Sequence, residues 1–213
     1  MPHSKVISVQ VGLPRTVDFH GHAVTTGIFK SPVAGRVPLR FLDFDGDRQA
    51  DLTVHGGPDK AVYAYPSEHY SYWRSELPGK ELPWGSFGEN LDTEGLLEDF
   101  VHIGDRFRIG TAEVVVTQPR LPCYKLGVKF GWDEMVKRFL ASRRTGFYLR
   151  VLREGEIGAG DDFEPLSRDE HNVAVADITR LYLKEGNGKA LLKRAIEVPA
   201  LPDSWRDYFQ QRV

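Results

Sequence analysis

Glu113 to Leu126 reads EVVVTQPRLPCYKL. Its first part, Glu113 to Thr117, is a β-branched run bounded by turn signals and predicts a buried strand. Pro119 and Pro122 then stop the strand and stiffen a turn, because each fixes φ and removes a backbone donor. At the tip sits Cys123, the single cysteine of the 213 residues. Arg120 lies three positions before it and Lys125 two after. Positive charge favours the ionised thiol, and a thiolate is either a nucleophile or a soft metal ligand. A buried structural cysteine is the other reading of the same residue.

Composition sets the outer limits. A chain of 213 residues with 41% hydrophobic and 27% charged residues suits one globular domain plus a small appendage. It buries enough surface to need no disulfide or metal staple. No run reaches membrane-spanning length, and a formal charge of −2 speaks against general nucleic-acid binding. One cysteine excludes an internal disulfide and any multi-cysteine metal site. The N-terminus enters strand-like sequence without an apolar signal core, so a cytoplasmic protein is expected.

Outward from the cysteine, the N-terminal part reads as short strands: Lys5 to Val11, Thr25 to Phe29 and Val37 to Phe44. Asp43, Asp45, Asp47 and Asp51 around Gly46 look like a calcium loop, but the twelfth position is Val54 instead of a bidentate Glu, so a polar loop is expected. His55 to Pro66, HGGPDKAVYAYP, is a glycine-rich loop followed by a strand. Gly56 and Gly57 let the backbone approach an anion, with Lys60 as a point charge; a plain hairpin turn explains the same residues. Ser67 to Leu77 predicts a helix capped by Ser67. Gly85 to Leu91, GSFGENL, is a polar loop, and Phe100 to Ile109 predicts a hairpin turning at Gly104–Asp105. After the cysteine, Trp132 to Ser142 is an amphipathic helix. Arg143 to Gly146 is either a phosphate-binding turn or a helix C-terminus. Phe147 to Leu152 is a strand, and Gly155 to Asp162 a loop.

HGGPDKAVYAY, GSFGENL, IGDRFRIG, QPRLPCYKL and RTGFYLRVL, in this order, together resemble the MOSC family, named after the C-terminal domain of molybdenum cofactor sulfurase, and within it the bacterial YiiM-like branch. The resemblance implies a mainly β, α+β fold: a twisted β-barrel over residues 1–166 and a three-helix extension over 167–213. It implies the molybdenum cofactor (molybdopterin) as ligand, with Cys123 as molybdenum ligand or sulfur carrier. It also implies reduction of N-hydroxylated compounds, including nucleobases, with electrons from a flavoprotein reductase. His55, Asp59, Lys60, Glu89, Asn90, Arg120 and Lys125 fall in the family's loops.

The chemistry agrees with that implication. A thiolate suits a high-valent metal already held by sulfur, and the pterin phosphate needs cations and N–H groups, which Lys60, Arg120, Lys125 and the Gly56–Gly57 turn supply. Cleavage of an N–O bond also needs a proton donor, for which His55, Asp59 and Glu89 are candidates. Two other classes stand beside the reductase: a sulfur transferase with a Cys123 persulfide, and a non-catalytic carrier of the cofactor. The transferase needs an outside sulfur donor, since the pyridoxal-phosphate domain associated with some family members has no counterpart here.

From about Ser167 the pattern turns helical, at Asn172 to Lys184, Lys189 to Val198 and Pro202 to Gln211. A segment this small needs another surface to bury its apolar faces. Homodimerisation, partner docking and capping of the barrel are the roles open to it.

Overall fold

The computed structural model describes residues 4–50, 56–185 and 188–213. The strands are β1 (Lys5–Val11), β2 (Arg15–Phe19), β3 (His22–Thr26), β4 (Ser31–Pro32), β5 (Arg36–Leu39), β6 (Val62–Pro66), β7 (Leu91–Glu94), β8 (Arg106–Ile109), β9 (Ala112–Pro119), β10 (Phe147–Arg153), β11 (Gly155–Gly158) and β12 (Phe163–Ser167). The helices are α1 (His69–Glu76), α2 (Tyr124–Phe130), α3 (Met135–Ser142), α4 (Val175–Tyr182), α5 (Lys189–Glu197) and α6 (Asp203–Gln210).

Eight strands form one sheet in the order β12-β8-β9-β10-β6-β7-β1-β4. Its one parallel pair, β6 with β7, requires a crossover, and α1 lies in it. The sheet wraps back on itself. Val6 N–H donates to Asp161 O (2.9 Å), Phe163 N–H to Ser4 O (2.8 Å) and Gly160 N–H to Val6 O (2.8 Å), joining β1 to the segment that leads into β12. The expected β-rich α+β fold with a small C-terminal helical segment is therefore observed.

The strand read from EVVVT is buried at all but one position from Ala112 to Pro119. It is sandwiched between β8 and β10. The strand runs through Pro119 and not up to it: position 119 lies at its end, where a missing donor costs little. Other boundaries also differ. Ser67 does not cap α1, which begins after Glu68 without a side-chain cap. Gly104–Asp105 is not a hairpin turn, since Ile103 N–H donates to Val173 O and Gly104 N–H to Val116 O. The hairpin is β8–β9, turning at Gly110–Thr111. The strands β2, β4, β7 and β12 are additional to the sequence reading, as are α2, directly after Cys123, and β11, which pairs only with the distant β5.

The barrel interior and the C-terminal helices share one core. Val114, Val116 and Leu149 belong to the same buried cluster as Ile178, Leu181, Leu192, Trp205 and Phe209. The Trp205 indole N–H donates to Gln118 Oε1 at 2.7 Å, joining α6 to the end of β9. A second, aromatic core lies under α1, α2 and α3, around Tyr65, Trp73, Phe87 and Phe139. Burial of each such ring contributes roughly 1.5–3 kcal/mol. Gly146 (φ +63°) sits where a Cβ would be 2.5 Å from Ala64 O, so the start of β10 packs on β6 only with glycine there.

Asp92 in β7 is fully buried. One carboxyl oxygen accepts from Gln10 Nε2 at 2.7 Å, and the other has no partner among the described residues. Burial, with the nearby Glu89 carboxylate, pushes its pKa up to about 10, so it is protonated at neutral pH. A carboxyl whose folded pKa lies above its unfolded value contributes most below about pH 4, and the contribution fades as pH rises towards 10. Asp92→Asn is therefore expected to gain stability relative to wild type between pH 5 and 8, by up to ~1.4 kcal/mol per pH unit. Urea denaturation at several pH values tests this; a pH-independent difference would show that Asp92 does not carry the proton.

Candidate functional site

β9 delivers the chain into Arg120–Cys123, and Arg120 N–H donates to Gly146 O at 3.2 Å. The rigid turn read from the two prolines thus leans on the start of β10. Cys123 is half-buried and directly precedes α2. It lies at the junction of two open clefts. The first is lined by Lys30, Asp47, Lys60, Asn90, Arg120 and Lys125, among others. The second, the roomier of the two, lies between the cysteine turn and α6. Lys60, Leu121, Cys123 and Tyr148 line both.

The first cleft is cationic. Arg120 is 5% exposed, and its guanidinium lies 5.2 Å from the Tyr63 ring centroid and 5.0 Å from that of Phe139. Its Nη2 makes a long bond to Phe87 O (3.4 Å), while its Nη1 is buried with no hydrogen-bond partner among the described residues. An orphaned buried donor on a charged group is costly, and a bound anion would satisfy it. Lys125 has no hydrogen-bond or ion-pair partner among the described residues. Burial lowers the pKa of Lys60, against the opposing pull of Asp59 and Cys123.

Beneath them lies a polar floor. Asp47 is 3% exposed; it pairs with the Lys30 ammonium and accepts from Gly12 N–H (3.0 Å) and Asn90 Nδ2 (2.7 Å). Asn90 also accepts from Tyr63 N–H at 3.1 Å and donates to Gln10 O at 3.3 Å, so one amide joins β1, β6 and the Asp47 loop. Burial lowers the Lys30 pKa, and Asp47 opposes that shift.

Of the residues singled out from the sequence, Cys123, Lys60, Asn90, Arg120 and Lys125 meet at the first cleft. Glu89 does not. It is fully buried and accepts from Gly85 N–H (3.0 Å), Phe87 N–H (2.9 Å) and the Tyr70 hydroxyl. It is an internal brace of the GSFGENL loop, not a proton donor facing a ligand. Asp59 also points elsewhere, accepting from Arg150 Nε at 2.6 Å and lining neither cleft. Gly57 (φ +94°) begins the single 3-10 turn Pro58–Lys60 that aims Lys60, and neither Gly56 nor Gly57 lines a cleft. His55 lies outside the described residues. The Arg143–Gly146 turn is a helix end: Arg143 caps α3 and pairs with Glu185, and Arg144 stacks 3.9 Å from the Tyr72 centroid.

The sequence reading passed over Lys30, Asp47, Tyr63 and Tyr148. Tyr148 is partly exposed and lines both clefts; burial raises its pKa, so its hydroxyl keeps its proton. Both tyrosines interrupt apolar strands, and that was the available signal. Asp47 was hidden in an acidic cluster that looks solvated.

The chain matches the MOSC domain family over residues 51–164 and the family described as YiiM-like, 3-alpha helix domain over residues 173–213. It belongs to the MOSC domain family. It is 44% identical over 207 residues to an uncharacterized protein, YflK, of Bacillus subtilis, covering 97% of this chain and 93% of that one. A Gibberella moniliformis protein named reductase is 32% identical over 196 residues, which span 91% of this chain and 35% of the fungal one. The crystal structure of YiiM from Geobacillus stearothermophilus superposes with a TM-score of 0.81 at 37% identity, covering 98% of both chains.

Removing the Asp47 carboxylate leaves the Lys30 ammonium buried without its partner. Asp47→Ala is expected to cost about 3–5 kcal/mol, whereas the double change Asp47→Ala with Lys30→Met recovers much of that loss. Denaturant midpoints of the three variants check it.

Proposed function

We propose that this protein is a molybdenum-cofactor oxidoreductase that reduces N-hydroxylated compounds with electrons from a separate flavoprotein. The observation that carries the reading is the cleft lined jointly by Cys123 and by the cations Lys60, Arg120 and Lys125. A thiol beside several cations fits a ligand that is both metallic and anionic, and charge-assisted hydrogen bonds from a guanidinium to an anion are stronger than those to a neutral acceptor. MOSC domains are associated with that cofactor, and the fungal relative named reductase supports an enzyme.

In this reading Cys123 would hold the metal through its sulfur, while Arg120 and Lys125 would take the negative charge of the pterin phosphate. Asn90 and the Lys30–Asp47 pair keep the cleft floor rigid. When bound, the cofactor supplies a two-electron centre. The overall change is the cleavage of one N–O bond: a hydroxylamine N–OH takes up two electrons and two protons and leaves as N–H plus water. The flavoprotein is the reductant.

The protons need a donor at the junction of the clefts. Asp59 is paired with Arg150 and Glu89 is enclosed, so the groups in position are the Lys60 ammonium and the Tyr148 hydroxyl. Both line the two clefts together with Cys123, which supports them as donors to a substrate that reaches the metal.

Protein from a cofactor-producing host should carry near-stoichiometric molybdenum and pterin fluorescence, and Cys123→Ala should lose most of the metal. A wild-type protein with neither, carrying a cyanide-releasable sulfur instead, would replace the reductase by the sulfur transferase. Because burial lowers the Lys60 pKa, turnover that uses its proton should decline as pH rises, with a midpoint below the ordinary lysine value of about 10.4. Lys60→Arg should move that limb to higher pH at similar metal content; an unmoved limb would assign the proton to Tyr148.

A further inference from the structure

The second cleft differs from the first in kind. Across from Cys123, Pro122 and Tyr148, its wall is made by the C-terminal helices: Tyr182 from α4, and Trp205 and Tyr208 from α6. Tyr182 packs edge-on to Trp205 (centroids 5.7 Å, 70°) and at a tilt to Tyr208 (6.0 Å, 45°). The Trp205 N–H is already engaged by Gln118, so the wall offers ring surface more than donors. Among the described residues Lys60 is the single charged side chain lining it, whereas the described lining of the first cleft holds Lys30, Arg48, Lys60, Arg120 and Lys125 against one acid, Asp47.

We propose that α4 and α6 supply the specificity-determining wall of the substrate site, and that Tyr182 and Tyr208 hold a flat, uncharged N-hydroxylated heteroaromatic ring whose N–OH points towards Cys123. The proposal rests on the reductase reading for the identity of the reacting group. Three features support it. Charge is unevenly divided: of the first cleft's cations Lys60 alone also lines the second, whose aromatic wall is approached by Arg212, 5.4 Å from the Tyr208 centroid. Aromatic side chains hold planar rings through stacking and edge contacts with little demand on sequence or shape detail. The wall is fixed in place, because Trp205 is anchored to β9 and packed on Phe209 (5.5 Å) in the common core. The three-helix segment is then part of the site and more than a cap on the barrel.

The test is calorimetric titration of the full-length chain, purified from a cofactor-producing host, with N6-hydroxyadenine and with acetohydroxamic acid as a non-aromatic probe. Wild type should prefer the purine. Tyr182→Leu and Tyr208→Leu should each weaken purine binding about tenfold, within the range expected for losing one stacking partner, and Tyr208→Phe, which keeps the ring, should bind like wild type. Equal purine affinity in all four proteins would overturn the proposal, as would a Phe variant as weak as the Leu variant. Failure of wild type to bind the purine overturns it whatever the variants do. Turnover with a reduced flavoprotein is read separately. Ring-dependent binding without N–OH reduction would sink the reductase and leave the aromatic wall, whereas turnover with an unchanged purine KM in the Leu variants would sink the wall and leave the reductase.

Discussion

The structure depends on the sheet meeting itself. A curved sheet with free edges would expose rows of unpaired backbone groups. Here the bonds between Ser4–Val6 and Gly160–Phe163 satisfy one edge with the other. Once β1 is held against the approach to β12, the curvature of the intervening strands is set, and so is the interior that Val114, Val116 and Leu149 fill. The loops that matter then have little freedom. The cysteine turn leans on Gly146, Gly146 leans on Ala64, and Lys60 enters from the far end of the strand that contains Ala64.

Within that frame, charge is handled in two ways. Charges that stabilise the fold are paired or neutralised inside it: Lys30 with Asp47, Glu89 with three donors, Asp92 by keeping its proton. At the first cleft, Arg120 keeps one nitrogen without a hydrogen-bond partner among the described residues. Of the buried side-chain atoms without a hydrogen-bond partner among the described residues, on Gln10, Asp92, Thr93, His102 and Arg120, the Arg120 nitrogen alone belongs to a cation, and it is there that an anion would gain most. Loops supply this site while strands hold it, as is common for binding sites on rigid scaffolds.

Much of this was legible from residues alone. The β-branched run before the prolines named the central strand, and the motif order named the family. What stayed hidden is instructive. GEIG reads as a loop because two glycines lower strand propensity, yet it pairs with β5, a partner over a hundred residues away. YKLGVKF reads as nothing in particular because a two-turn helix with an internal glycine has too short a period to show. Glu89 and Asp59 looked like free acids because a sequence shows charge without showing its partner, and both are spent on holding loops. Asp47 was the reverse: one of several acids in a row, distinguished only by where the chain turns it.

Cys123, Lys60, Leu121 and Tyr148 form a partition between two clefts that each open outward. Any change at one of these four side chains would therefore be felt on the cationic side and on the aromatic side alike.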